Sequence, residues 1–73
     1  MSLVKRSFSL SGHRTSVALE AEFWAVLSEL AGHRGMALST FVATVDADRN
    51  PSQPLASALR LTALRRSASL SQN

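Results

Sequence analysis

A short alternating segment that runs straight into a helical pattern is the feature that most limits how this chain can fold. Residues 14–19 alternate between two sides of an extended strand, with Thr15, Val17 and Leu19 on one side and Arg14, Ser16 and Ala18 on the other. The helical pattern begins at Glu20 with no intervening loop. A single strand cannot be stable alone, because its backbone groups and its apolar side need a partner.

Two sources for that partner are open. No strong strand pattern follows downstream, so the simplest partner is the same strand of a second copy. Residues 3–10 offer another, because they alternate loosely and Ser11-Gly12 is a turn signal that would fold them back on residues 13–19 as a hairpin. A flexible basic arm is the rival interpretation of residues 3–10. The apolar side chains of Phe8 and Leu10 favour partial order.

The composition of the 73 residues favours association between copies. A core of this size is marginal in a lone chain, and without cysteine neither disulfides nor thiolate metal sites can reinforce it. Yet 45% of the residues are hydrophobic, more than a small monomer hides easily. Burial of apolar faces between subunits resolves both problems, so we expect an obligate oligomer.

Positive charge is concentrated towards the two ends of the chain, whose formal net charge is +3. All five acidic residues lie between Glu20 and Asp48. Six of the eight basic residues form an amino-terminal group and a carboxy-terminal group: Lys5, Arg6 and Arg14, then Arg60, Arg65 and Arg66. A basic amino-terminal face suits nucleic acid, although a net charge of +3 alone is also ordinary solubility charge.

Three helices are predicted after the strand. The first covers residues 20–34 and is ended by Gly35; the second covers 38–47, where Ser39 or Thr40 can satisfy amide groups of the first turn. The third covers 54–66, and the serine-rich residues 67–73 form a frayed tail. Their apolar stripes comprise, in order, Phe23, Trp24, Val26, Leu27, Leu30 and Ala31; Leu38, Phe41, Val42 and Val45; and Leu55, Ala58, Leu59, Leu61 and Leu64.

This order of elements resembles the ribbon-helix-helix family of dimeric DNA-binding proteins, the class of Arc and MetJ. The residues that carry the resemblance are 14–19 for the ribbon, Phe23, Leu27 and Leu30, Gly35 at the turn, and Ser39, Phe41, Val42 and Val45. The run 5–16 is further similar to short bacterial proteins with this domain, in which an amino-terminal extension and a third helix recur. The fold implied is mainly α with a short β-ribbon, with residues 1–66 as the domain of a homodimer.

The resemblance implies that the ribbon enters the major groove of double-stranded DNA, with one strand from each copy. The outward residues Arg14, Ser16 and Ala18 would then face base edges. Arg14 can grip guanine, Ser16 can hydrogen-bond to several bases, and Ala18 can touch a thymine methyl group.

Other polar residues would contact the phosphates of the DNA backbone. Lys5 and Arg6 are expected to contact phosphate without reading sequence, or else to act as edge charges that prevent aggregation. Ser39 and Thr40 lie where the amino terminus of the second helix would hold a phosphate. The apolar residues expected to close the dimer core are Val17, Leu19, Phe23, Leu27, Leu30, Phe41, Val42 and Val45.

The function expected from this resemblance is that of a small bacterial transcriptional regulator or repressor, cytoplasmic and nucleoid-associated. Two dimers side by side would cover a longer operator. One alternative is an interaction module of antitoxin type, which would bind a partner protein through the third helix and the tail. Another is an architectural protein that binds DNA with little sequence preference.

Other classes of protein find little support in the sequence. Nucleophile elbows, phosphate loops and cysteine–histidine pairs are absent, so we expect neither an enzyme nor a cofactor. No cysteine accompanies His13 or His33, and Glu29, four residues before His33, makes a surface pair at best, so we expect no metal site. No segment approaches the roughly 20 apolar residues of a membrane span, and residues 1–14 lack the apolar stretch of a signal peptide.

Overall fold

A β-hairpin packs against three helices in this protein. The computed structural model describes the backbone of residues 2–71 and the side chains of residues 2–66. The elements follow in the order β1 (Leu3–Leu10), β2 (His13–Glu20), α1 (Ala21–His33), α2 (Leu38–Asp48) and α3 (Leu55–Ser71). This arrangement confirms the predicted fold class, a short β-ribbon followed by helices with a third helix at the carboxy-terminal end.

The hairpin decides between the alternatives for the amino-terminal segment. β1 pairs with β2 antiparallel along its whole length, from Leu3 opposite Glu20 to Leu10 opposite His13. Ser11 and Gly12 both have positive φ, 51° and 80°, as the two central residues of a type I′ turn require. The partner of residues 13–19 therefore comes from the same chain, as the hairpin alternative predicts, and not from a second copy. The short turn brings residues 3–10 close enough to supply it.

α1 starts directly after β2 and ends at His33, just before Gly35, the residue that was predicted to end it. Trp24, Leu27, Leu30 and Ala31 form its buried face. Gly35 has a φ of 65° and follows the last turn, where the amide of Met36 donates to the carbonyl of Ala31 at 2.9 Å. This left-handed residue turns the chain away from the helix axis and lets α2 begin at Leu38.

Arg49 fastens the connection between α2 and α3. Its Nε donates to Oδ1 of Asp46 at 2.7 Å, and its Nη1 donates to the carbonyl of Gln53 at 2.6 Å. Oδ1 of Asn50 accepts from the amide of Ser52 at 3.0 Å, which tightens the same turn. The segment between α2 and α3 is thus a hydrogen-bonded turn that sets the direction in which α3 starts.

α3 differs from the prediction in its stripe and its length. Its buried residues are Leu55, Ala58, Leu59 and Ala63, whereas Leu61 and Leu64 are 38% and 53% exposed. Leu61 and Leu64 were wrongly placed in the stripe, because Ala63 continues the i, i+4, i+8 row from Leu55 and Leu59. The helix also runs five residues past its predicted end at 66, since no glycine or proline interrupts residues 67–71. The rest of the predicted frayed tail, residues 72–73, lies outside the described part.

One hydrophobic core joins the hairpin to all three helices. Its fully buried side chains come from β2, α1, α2 and α3: Leu19, Leu27, Phe41, Val42 and Leu59. An ion pair closes one edge of this core, where Nε of Arg60 lies 3.2 Å from Oε1 of Glu20. The pKa of Glu20 lies below its ordinary value, chiefly because its carboxylate accepts a backbone hydrogen bond at its own residue, and further because of Arg60.

Candidate nucleic-acid interface

The hairpin presents a polar and basic face away from the helices. Beyond Leu3 and Glu20 at the helical end, three cross-strand pairs lie on this outer face: Lys5 opposite Ala18, Ser7 opposite Ser16, and Ser9 opposite Arg14. The side chains of these three pairs are all exposed except that of Ala18, which is half-buried. The two serine hydroxyls lie 3.1 Å apart, so they form a hydrogen bond at the centre of the face. The predicted outward residues of β2 are thus joined by a second row from β1.

The opposite, inner face of the hairpin packs on α1 through Trp24. The indole Nε1 donates to the carbonyl of Val4 at 2.8 Å, and the ring lies 5.8 Å from that of Phe8. The guanidinium of Arg6 sits 5.4 Å from the centre of the Trp24 ring. Lys5 and Arg6 were grouped as phosphate contacts from the sequence, but they lie on opposite faces of β1.

The outer face carries uncompensated positive charge. Neither Lys5 nor Arg14 forms an ion pair with any described residue. The acid nearest in register is Glu20, opposite Leu3 at the helical end of the hairpin, and its carboxylate is already bound to Arg60. The face is therefore attractive to an anionic partner along most of its length.

The amino terminus of α2 differs from its prediction. The capping position is Ala37, and the first turn has no side-chain cap. Ser39 and Thr40 lie inside that turn with exposed side chains, so the prediction that one of them satisfies its amides was wrong. The hydroxyl of Thr44 donates to the carbonyl of Thr40 at 3.0 Å. The amide groups of the first turn stay available to an anion.

The sequence also matches a protein family over both strands and the helices. The profile described as the ribbon-helix-helix domain matches residues 3–67. The chain belongs to the ribbon-helix-helix family. This non-enzymatic fold is typical of DNA-binding transcription regulators and of antitoxins, and its domains generally form dimers. No curated protein and no solved structure matches the chain.

The residues expected in the dimer core of this ribbon-helix-helix domain are already buried in one chain. The single chain buries six of them: Val17, Leu19, Leu27, Leu30, Phe41 and Val42. Phe23 and Val45 are partly buried and pack against the same core. The intramolecular hairpin and α3 supply the covering surface, so a second copy is not needed to bury these side chains.

Ser7 and Ser9 are outer-face residues that were not selected from the sequence. The information needed to find them was present, because a two-residue turn at Ser11-Gly12 fixes the register of both strands. Counting back from the turn places Ser9 opposite Arg14 and Ser7 opposite Ser16. The sequence alone does not select them, because residues 3–10 are compatible with both a strand and a flexible arm.

Two further observations concern other kinds of site. Among the described residues, no three histidine, cysteine or acidic side chains cluster in a way that would hold a metal ion. Within residues 2–71, no helix combines the length and the apolar character needed to cross a membrane.

Proposed function

We propose that this protein is a homodimeric DNA-binding protein that acts as a small bacterial transcriptional regulator. The observation that carries the proposal is the outer face of the hairpin, with its exposed Lys5 and Arg14 and its paired serines. Basic side chains interspersed with small hydroxyl groups suit a surface that must approach phosphates and base edges closely. Membership of a family that typically regulates transcription supports the same conclusion.

The open edge of β2 is the proposed contact between the two copies. The residues that flank a two-residue turn exchange both of their hydrogen bonds, so Leu10 and His13 form such a pair. Alternation then directs the amide and carbonyl groups of Arg14, Ser16 and Ala18 away from β1, towards the open edge. A second copy of β2 can pair there in antiparallel fashion, which produces a four-stranded sheet with both β2 strands in the middle.

The width of that sheet assigns different roles to the two strands. Neighbouring strands lie about 4.8 Å apart, so the outer strand axes of four strands are about 14 Å apart. The major groove is only about 12 Å wide. In this proposal the two β2 strands enter the groove and bring Arg14, Ser16 and Ala18 to the bases. The β1 strands lie over the phosphates with Lys5, while Arg6 stays on Trp24.

The amino termini of α2 are proposed to fix the dimer on the DNA backbone. Their free amide groups, with the exposed hydroxyls of Ser39 and Thr40 beside them, suit a phosphate oxygen. Such contacts carry no sequence information and set the register of the ribbon in the groove.

A second candidate function rests on the outer side of α3. Leu61 and Leu64 are exposed there, which is unusual for two leucines one turn apart on a small chain. They suit a protein partner of the kind that an antitoxin binds. Coexpression followed by purification of a stoichiometric complex would favour this alternative over a regulator that acts alone.

The test compares two arginines of the hairpin that lie on opposite faces. Genomic footprinting of the tagged protein supplies a target site, and fluorescence anisotropy then measures affinity for that site. Arg14→Ala is expected to weaken binding by about 1–3 kcal/mol if the guanidinium makes a bidentate base contact, with little effect on stability. Arg6→Ala is the matched control, and we expect it to leave affinity nearly unchanged while slightly loosening the contact with Trp24.

The opposite pattern would reject this assignment of faces. If Arg6→Ala abolished binding and Arg14→Ala did not, the inner side of the hairpin would be the DNA contact. If footprinting recovered no enriched site and anisotropy no binding to any duplex, the regulator proposal itself would fail.

A further inference from the structure

A cleft on the side of the helices, apart from the hairpin face, collects three arginines. Its volume is about 310 Å³, and it lies where the end of α1, the start of α2 and the later part of α3 meet. The residues that line it are Leu30, Arg34, Phe41, Thr62, Arg65 and Arg66. This lining includes no acidic side chain, so the cleft is basic throughout.

The three arginines of the cleft have no counter-charge. Arg34, Arg65 and Arg66 form no ion pair with any described residue. The other two arginines of the helical region are engaged, Arg49 with Asp46 and Arg60 with Glu20. Asp48 lines the neighbouring cavity together with Arg34 and Arg65, yet it does not pair with either of them. Three adjacent guanidinium groups repel one another unless an anion lies between them.

The polar groups of the cleft are arranged as donors without acceptors. Nε of Arg66 is buried and has no hydrogen-bond partner among the described residues. The guanidinium of Arg34 lies 5.3 Å from the centre of the Phe41 ring, and both residues line the cleft. The hydroxyl of Thr62 already donates to the carbonyl of Ala58 at 2.8 Å. The donors that remain for a bound group therefore belong to the arginines.

We propose that this cleft binds an anion of the phosphate type, either a phosphate or a diphosphate group. Guanidinium groups pair with phosphate oxygens through two parallel hydrogen bonds, which is the geometry that a group of arginines satisfies best. The apolar floor of Leu30 and Phe41 lowers the local dielectric and strengthens each such contact. The phosphate belongs either to a free phosphorylated small molecule or to the DNA backbone.

The first experiment uses inorganic pyrophosphate as the probe and isothermal titration calorimetry as the measurement. Ionic strength is held constant with sodium chloride, so that non-specific screening does not change. The wild-type protein is expected to bind one pyrophosphate per chain saturably. Arg65→Gln is expected to lower the affinity by roughly tenfold to a hundredfold, the usual effect of one charged hydrogen-bond donor.

A matched control removes the same charge elsewhere. Arg6→Gln, on the inner face of the hairpin beside Trp24, is expected to leave pyrophosphate binding unchanged. Arg34→Lys tests the geometry, because it keeps the charge but loses the two-pronged donor, and it should bind more weakly than wild type. Circular dichroism verifies that each variant is folded; Arg65 is exposed and makes no side-chain hydrogen bond with the described residues, so its replacement leaves the core intact. Absence of saturable binding, or equal losses in Arg65→Gln and Arg6→Gln, would overturn the proposal.

A second experiment identifies the source of the phosphate by anisotropy with labelled duplex DNA. If the cleft holds a DNA phosphate, pyrophosphate competes with the duplex and Arg65→Gln weakens DNA binding at every sequence. If it holds a free anion, Arg65→Gln binds DNA as the wild type does, while its pyrophosphate binding is still lost. A protein that binds pyrophosphate in the cleft but no DNA at all would contradict the proposed function and leave this site standing.

Discussion

Trp24 is the residue that connects the hairpin to the helices. Its ring contacts Phe8 and Arg6, and its indole nitrogen donates to the backbone of Val4. Periodicity correctly assigned it to the buried stripe of the first helix. The hydrogen bond to Val4 could not be predicted in the same way, because it joins residues 20 positions apart and depends on where β1 lies.

Replacement of this tryptophan tests how firmly β1 is held. Trp24→Phe keeps an aromatic ring beside Phe8 but removes the donor to Val4 and weakens the contact with Arg6. We expect the free energy of unfolding to fall by about 1–2 kcal/mol, from one hydrogen bond and part of one cation–π contact. Urea unfolding at fixed protein concentration measures this difference.

Lys5→Ala on the outer face serves as the control for Trp24→Phe. An exposed side chain with no described ion pair should change stability by no more than about 0.5 kcal/mol. If Trp24→Phe were no less stable than Lys5→Ala, the indole contacts would not be what anchors β1.

The glycines at the end of α1 show how backbone conformation decides an element's boundary. Gly32 lies inside the helix and Gly35 follows it, and the space around an added Cβ is open at both positions. Only Gly35 has a positive φ, 65°. An added methyl group therefore meets no steric clash at either site, and it strains the backbone only at Gly35.

Alanine at the two positions should change stability in opposite directions. Gly32→Ala is expected to stabilise the protein by about 0.5–1 kcal/mol, because alanine loses less backbone entropy in a helix. Gly35→Ala is expected to destabilise it by about 1–2 kcal/mol, because a Cβ is strained in the left-handed region. The urea concentration at the midpoint of unfolding measures both changes in stability, provided that the slope of the unfolding free energy against urea concentration stays the same. Shifts of the same sign would mean that Gly35 does not set the end of α1.

The elements differ in how far their ends could be predicted from sequence. Gly35 marked the end of α1 because only glycine adopts its conformation without strain. The start of α2 at Leu38 agrees with the prediction, although its cap is Ala37 and no hydroxyl side chain caps its first turn. The end of α3 was missed, since serine is a weak helix breaker and the chain continues helical to Ser71.

At the scale of the whole molecule, the prediction of a dimer rested partly on a wrong premise. The strand has a partner within its own chain, and one chain buries Val17 and Leu19 without help. Sequence patterns specify which side of a strand is apolar but not which segment covers it. Association remains the proposal on a different ground, the row of unpaired backbone groups along β2.

Proline substitutions on facing strands test that row of backbone groups. Ser16 and Ser7 lie opposite each other, and each directs its amide group away from the other strand. Ser16→Pro therefore removes a donor at the proposed dimer edge, while Ser7→Pro removes one at the outer edge of β1. Both lose the hydrogen bond between the serine hydroxyls, and both place proline where an edge strand tolerates it.

The wild-type protein and Ser7→Pro are expected to sediment as dimers at micromolar concentration, with a melting temperature that rises with protein concentration. Ser16→Pro is expected to sediment as a folded monomer with no such dependence, because the central pair of strands cannot form its full set of hydrogen bonds. Analytical ultracentrifugation and thermal unfolding over a hundredfold range of concentration distinguish these outcomes. A wild-type protein that stays a monomer throughout, or a Ser16→Pro variant that dimerises as well as Ser7→Pro, would show that β2 does not join the two copies. If Ser16→Pro does dimerise, the contact between the two copies would instead be sought on the helices, where Leu61 and Leu64 are exposed.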